Sequence, residues 1–108
     1  MALTVRFTAG ARKDLRSIHE SISTNDSSTK ADYVPRKIVE AAITLREHPM
    51  RGAQPPELLA TGNRDYRQIL FKPYRIVYKV RENMVYIAVI ADGRRNMQTL
   101  LAYRLLEG

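Results

Sequence analysis

A chain of 108 residues, 44% of them hydrophobic and none cysteine, can bury a core without staples and reads as one domain over residues 1–108. The lack of cysteine excludes a disulfide framework and a thiolate zinc site and fits a reducing compartment. No apolar run approaches the ~20 residues of a membrane span, and Met1-Ala2-Leu3-Thr4 runs straight into a strand-like segment. Neither a membrane protein nor a cleaved leader is expected, and the expected location is cytoplasmic.

The formal net charge is +7, and it is uneven. Residues 1–62 carry nine Lys and Arg against seven Asp and Glu, a difference of +2, whereas residues 63–108 carry nine against four, a difference of +5. Such a balance suits an anionic partner, either nucleic acid or an acidic protein surface. A basic protein without any such partner would show the same totals.

In chain order, Leu3, Val5 and Phe7 alternate with Thr4, Arg6 and Thr8, the pattern of a short strand. Thr8 is placed to cap a following helix. Ala11, Leu15, Ile18 and Ile22 form the apolar stripe of that helix, while Arg12, Lys13, Asp14 and Arg16 face mostly outward and Gly10 weakens the first turn. Asn25-Asp26-Ser27-Ser28 reads as a turn. A second stripe follows at Ala31, Val34, Ile38, Ala41, Ala42 and Leu45. Pro35 either starts this helix proper or kinks a longer one, and Pro49 ends it. The two helices form a helical hairpin.

Pro49, Gly52, Pro55, Pro56 and Gly62 mark residues 49–63 as a loop, of a length that is uncommon unless it packs or functions. Residues 64–71 then read as a strand, with Arg67, Ile69 and Phe71 on one face. Lys72-Pro73 is a turn. In the next strand Tyr74, Ile76, Tyr78 and Val80 share one face, and Arg75, Val77, Lys79 and Arg81 the other. Glu82-Asn83 is a hairpin turn. Residues 84–91 are apolar on both faces, which suits a strand inside a sheet. After Asp92-Gly93-Arg94-Arg95, Asn96 caps a last helix with Met97, Leu100, Leu101 and Leu105 at helical spacing. The expected class is α+β, in the order strand-helix-helix-strand-strand-strand-helix: a small, mostly antiparallel sheet with the helical hairpin on one face.

With Tyr74, Ile76, Tyr78 and Val80 turned to the helices, the opposite face presents Arg75, Lys79 and Arg81, with Arg67 possible from the neighbouring strand. Arg94 and Arg95 stand at the end of the inner strand. Convergent arginines can grip phosphate or carboxylate through paired N–H groups. Arg75, Arg94 and Arg95, with Arg67, are therefore the candidate target-binding residues; Lys79 and Arg81 read as a solvated strand face. His19 and His48 lie apart from the arginines and read as structural. No His-x-x-x-His pair, acidic cluster, glycine-rich loop or Ser-His-Asp set is present, so no metal, cofactor or catalytic triad is expected.

The order of elements, with Asp14-Leu15, Leu45…Pro49…Gly52, Tyr66-Arg67, Tyr74-Arg75-Ile76-Val77-Tyr78 and Asp92-Gly93-Arg94-Arg95, resembles the RelE/ParE superfamily of bacterial toxin–antitoxin toxins over nearly the whole chain. RelE-like members cut messenger RNA on the ribosome; ParE-like members poison DNA gyrase. In the nuclease branch an Arg after the last strand is followed by a Tyr or His that serves the reaction. Here Arg94-Arg95 leads into Asn96-Met97, and the next tyrosine is Tyr103. The resemblance thus implies the ParE-like branch: a plasmid-stabilisation-type toxin that is not a nuclease, with no catalytic residue and no cofactor. Its implied partners are gyrase and a ParD-like antitoxin, through which alone it would meet operator DNA. Leu15, Ile18, Met97 and Leu101 are the apolar residues expected to meet the antitoxin. A ribosome-dependent endoribonuclease is the alternative, and a non-toxic basic interaction module the second.

Overall fold

The computed structural model describes residues 2–25 and 28–106. Its elements are β1 (Thr4–Phe7), α1 (Ala9–Asn25), α2 (Ser28–Ile43) with a 3-10 turn at Thr44–Arg46, α3 (Pro56–Leu59), β2 (Tyr66–Phe71), β3 (Tyr74–Arg81), β4 (Met84–Asp92) and α4 (Met97–Leu106). The strands form a sheet in the order β1-β4-β3-β2, with β1 parallel to β4 and the other pairs antiparallel. The expected α+β order is present, and β4 lies inside the sheet as its two-sided apolar sequence requires.

Both expected caps form. The Ala11 N–H donates to Thr8 Oγ1 at 3.1 Å, and the Thr99 N–H to Asn96 Oδ1 at 3.1 Å. Pro35 lies within α2, the longer-helix alternative. Asp26 and Ser27, in the expected turn between the helices, lie outside the described residues.

Two cores flank the sheet. On one face Ile69, Ile76, Tyr78, Val85, Ile87 and Ile90 pack against Ala11, Ile38, Ala42 and Leu45. This is the hairpin face that the alternation of β3 indicated. On the other, Val77, Val89 and Ala91 pack against Leu58, Met97 and Leu101. The sequence reading has the last helix dock its apolar side on the sheet or on a partner; it docks on the sheet and covers part of the face expected to present Arg75, Lys79 and Arg81. Its cover comes from α4 and from α3, which lies inside the segment expected to be loop. Pro55 precedes and Pro56 opens this short helix, where a missing N–H costs nothing.

Alternation in β4 breaks once. Val77 pairs with Val89 but Tyr78 with Ile87, so Ala88 is an extra residue in a β-bulge. The bulge lies just past the end of β1, where one edge of β4 has lost its neighbour. There the Ile90 N–H donates to Asp14 Oδ2 at 2.9 Å and the Ala88 carbonyl accepts from Arg104 Nη2 at 3.0 Å. Arg104 in turn grips Asp14 through both oxygens, at 2.9 and 3.0 Å. One ion pair therefore stands in for the missing strand and ties α1 to α4. Asp14 is not the outward-facing residue that the helix pattern suggested. Gly10 has a structural reason: a Cβ there would lie 2.6 Å from Arg104 Nη2.

Candidate functional site

The candidate residues meet at the C-terminal end of β4, where the chain turns into α4. Gly93 makes the turn possible. Its N–H donates to the Pro73 carbonyl at 2.8 Å, and a side chain there would press on Arg75 Cδ at 2.9 Å. The Arg94 N–H and Nε both donate to Asp92 Oδ1 at 2.9 Å. The side-chain and backbone bonds from Arg94 hold the Asp92 carboxyl down at about 2. The Arg94 side chain is nonetheless 78% exposed. The Arg95 N–H donates to the Asp92 carbonyl at 3.1 Å, and its side chain is exposed. It stands between two depressions. One, of about 260 Å³, is bordered by Asp14, Ser17, Ile18, Tyr74 and Asp92; the other lies against Thr99, Leu100 and Tyr103 of α4. Burial, then the charge of Asp92, pushes the Tyr74 phenol up, so it is a hydroxyl at neutral pH.

The expected convergence of arginines is only partial. Arg75 lies against Gly93, but its guanidinium is already engaged. Nη1 and Nη2 meet the two Glu57 oxygens at 2.8 and 2.7 Å, and Nε donates to Gln68 Oε1 at 2.6 Å. Its side chain is 12% exposed and that of Glu57 23%. The hydrogen bond from Arg75 lowers the Glu57 pKa against the raising effect of burial. Arg75 thus bolts α3 to the sheet. Arg67 is on the opposite face from Arg75, because it pairs with Tyr78. There it donates to the Gly52 carbonyl at 2.7 Å and shapes the loop. The exposed arginines of the site are Arg94 and Arg95.

Asn96 and Met97 also have structural work, as cap of α4 and as part of the second core. Leu101 is fully buried there too, so neither it nor Met97 offers a surface to an antitoxin; Leu15 and Ile18 are half-buried at the edge of the first core. His19 bonds to Asp32 at 2.9 Å on the surface, and His48 lies exposed beyond the 3-10 turn. No group of three potential metal ligands occurs among the described residues.

Sequence reasoning missed Glu57 and Arg104. Glu57 sat in a supposed loop. For Arg104 a signal existed: spaced seven after Met97 and three after Leu101, it falls on the buried side of α4, where a charge needs a partner.

A small sheet with a helical hairpin on one face, a terminal helix on the other and an arginine pair after the inner strand defines a toxin of the RelE/ParE superfamily. The family described as "ParE toxin of type II toxin-antitoxin system, parDE" matches residues 5–97, and the chain belongs to it. No match exists among curated proteins. Among solved structures, the chromosomal ParDE toxin–antitoxin system of Pseudomonas aeruginosa aligns with a TM-score of 0.71 at 20% identity, covering 84% of this chain and 96% of that one. The RelBE2 toxin–antitoxin complex of Mycobacterium tuberculosis aligns at 0.61 and 24%, covering 85% and 99%. An arginine mutant of Escherichia coli RelE in the free state aligns at 0.66 and 18%, covering 99% and 97%. These likenesses describe a shared fold. No described helix is long and apolar enough to cross a membrane.

Proposed function

We propose that this toxin acts by binding DNA gyrase and stabilising its cleaved DNA complex, and that a cognate antitoxin neutralises it. One observation carries the reading. The two positions after Arg95, where the nuclease branch places a reactive side chain, hold Asn96 and Met97, a helix cap and a core residue. Cleavage by 2′-hydroxyl attack needs a base, an acid and cations free to hold the phosphate. Arg75 is held by Glu57 and Gln68 instead. Arg94 and Arg95 are left as exposed contact groups, and Arg95 lies beside Thr99 and the 71% exposed Tyr103 of α4. Arginine and tyrosine are the residue types that anchor protein interfaces.

The antitoxin reading rests on an open edge. Among the described residues β1 pairs with no strand but β4, so its other side is an edge of the sheet. A depression along it is bordered by Val5, Phe7, Leu15 and Val39, with Arg12 at its rim. An acidic, apolar-studded segment that folds on binding complements such an edge. Ile18 extends the same helix face.

Induced expression, read for plasmid topology and for message ends together, tests the proposal. Plasmid should lose negative supercoils while translated messages stay intact, and co-expressed antitoxin should restore both topology and growth. Messages cut within coding regions, with topology unchanged, would put the nuclease in place of the gyrase inhibitor. Unimpaired growth would leave a basic interaction module.

A further inference from the structure

The half of the sheet face beyond α4 carries a row of side chains that the preceding account does not use. Tyr66 on β2 pairs with Lys79 on β3, Lys79 pairs with Tyr86 on β4, and Tyr86 pairs with Arg6 on β1. Residues directly opposite one another point the same way. Aromatic, cation, aromatic and cation therefore run in order across the whole sheet. The two tyrosines stand two strand spacings apart, about 10 Å. Lys79 Nζ lies 5.4 Å from the Tyr66 ring centre, held by the ring's negative face. One register step further, Arg81 is exposed beside Met84.

Tyr66, Lys79 and Tyr86 of this row, with Arg81, floor a groove of about 460 Å³ bounded by Thr8, Ala88, Arg104 and Leu105; Arg6 continues the row beyond it. No acidic residue is among its described lining residues. Both tyrosines and Lys79 are half-buried, so they are positioned and not loose.

We propose that this groove binds single-stranded DNA. Proteins that hold single strands combine a cationic track for phosphates with aromatic faces on which unpaired bases stack. The row has both in register. A duplex keeps its bases stacked inside and could use only the cations. Apart from the phenols, the lining offers one hydroxyl, Thr8, and no amide side chain, so it has little to recognise a ribose 2′-hydroxyl or to read base edges. The inference goes beyond the gyrase reading and stands or falls without it, since the ligand is a DNA strand presented to the toxin alone.

Fluorescence anisotropy with the full chain and a labelled mixed-sequence DNA 12-mer tests it. Competitors are the matching duplex, an RNA of the same sequence and heparin, a polyanion without bases. The single DNA strand should bind at least tenfold more tightly than the duplex. Tyr66→Leu and Tyr86→Leu should each weaken it roughly fivefold to a hundredfold, the range for one lost stack, while Tyr66→Phe and Tyr86→Phe keep the ring and the affinity. The double variant Lys79→Gln with Arg81→Gln should flatten the slope of log affinity against log salt by about 1.4, the value for two lost phosphate contacts on a single strand. Tyr33→Ala, an exposed ring on α2, should change nothing. If the leucine variants do not fold, the salt slope and the duplex comparison still decide. Equal competition by heparin and duplex would overturn the proposal in favour of a nonspecific cationic surface. Tighter binding of the RNA would overturn it in favour of an RNA ligand. In either case gyrase poisoning, assayed separately, remains a distinct result.

Discussion

Removing the Arg104 guanidinium should cost far more than removing an ordinary surface charge. Its side chain is 21% exposed and that of Asp14 17%, so water screens the pair weakly. Arg104→Met keeps the apolar stem but deletes both bonds to Asp14 and the bond to the Ala88 carbonyl. Hydrogen bonds to charged groups contribute roughly 1.5–3 kcal/mol each, and breaking a fully buried pair costs about 3–5 kcal/mol. Discounted for partial exposure, a loss of about 2–4 kcal/mol is expected. At an unfolding entropy of about 2.1 cal/mol/K per residue, that lowers Tm by about 9–18 °C. Asp14→Ala should cost a similar amount, because it also strips the Ile90 N–H of its acceptor. In the double variant the two losses should overlap by more than about 1 kcal/mol, since both report one network. Gly10→Ala gives a sign test. Alanine is the better helix former by about 1 kcal/mol, yet its Cβ would lie 2.6 Å from the tethered Arg104 Nη2. The substitution should destabilise the wild type and stabilise the Arg104→Met background. Calorimetry or urea titration reads all five variants. A Tm shift under about 3 °C for Arg104→Met, or simple additivity with Asp14→Ala, would refute the claim that this pair seals the bulged edge of β4.

Three other outcomes follow from the geometry. Glu57→Gln should lower stability at neutral pH but not in acid. The folded Glu57 pKa lies below 4.5 because Arg75 favours the carboxylate, so its contribution is present above the unfolded pKa and fades as pH falls through the folded one; a gap between the two Tm curves that persisted at pH 2 would contradict this. Tyr78→Phe should cost about 1–3 kcal/mol in urea titration, because the phenol donates to the Pro49 carbonyl at 2.7 Å and accepts the Gly52 N–H at 3.0 Å. Glu82→Gly should stabilise by about 0.5–1 kcal/mol, since Glu82 holds φ at 57°, a region costly for a side chain; a loss of stability would mean that the glutamate makes a compensating contact.

Much of the fold is legible because its patterns are local. The alternation from Tyr74 to Val80 fixes the hairpin face of β3, and the three-and-four spacing through Leu15 and Ile38 fixes the inward stripes of α1 and α2. Thr8 and Asn96 announce caps that form. What escaped depends on distant partners. A strand apolar on both faces hides its own bulge, since shifting the register by one leaves the pattern unchanged. The partner of Asp14 is 90 residues away, beyond any helical repeat. The short α3 has too few turns to show a period, and its two leading prolines resemble a loop. Arg67 was grouped correctly with Ile69 and Phe71, but only the pairing of Phe71 with Tyr74 across the Lys72-Pro73 turn shows that this face is the hairpin face. At the candidate site, charge and position singled out Arg94 and Arg95, whose side chains the structure leaves exposed. The engagement of Arg75 could not be read before Glu57 was known to lie over it.

The most direct measurement is made with purified gyrase, negatively supercoiled plasmid and this toxin. After denaturation and protease treatment, the account predicts linear plasmid that accumulates with toxin, disappears when antitoxin is added first, and falls at least tenfold in the Arg94→Ala, Arg95→Ala double variant. Unbroken plasmid and undiminished supercoiling at saturating toxin would contradict it.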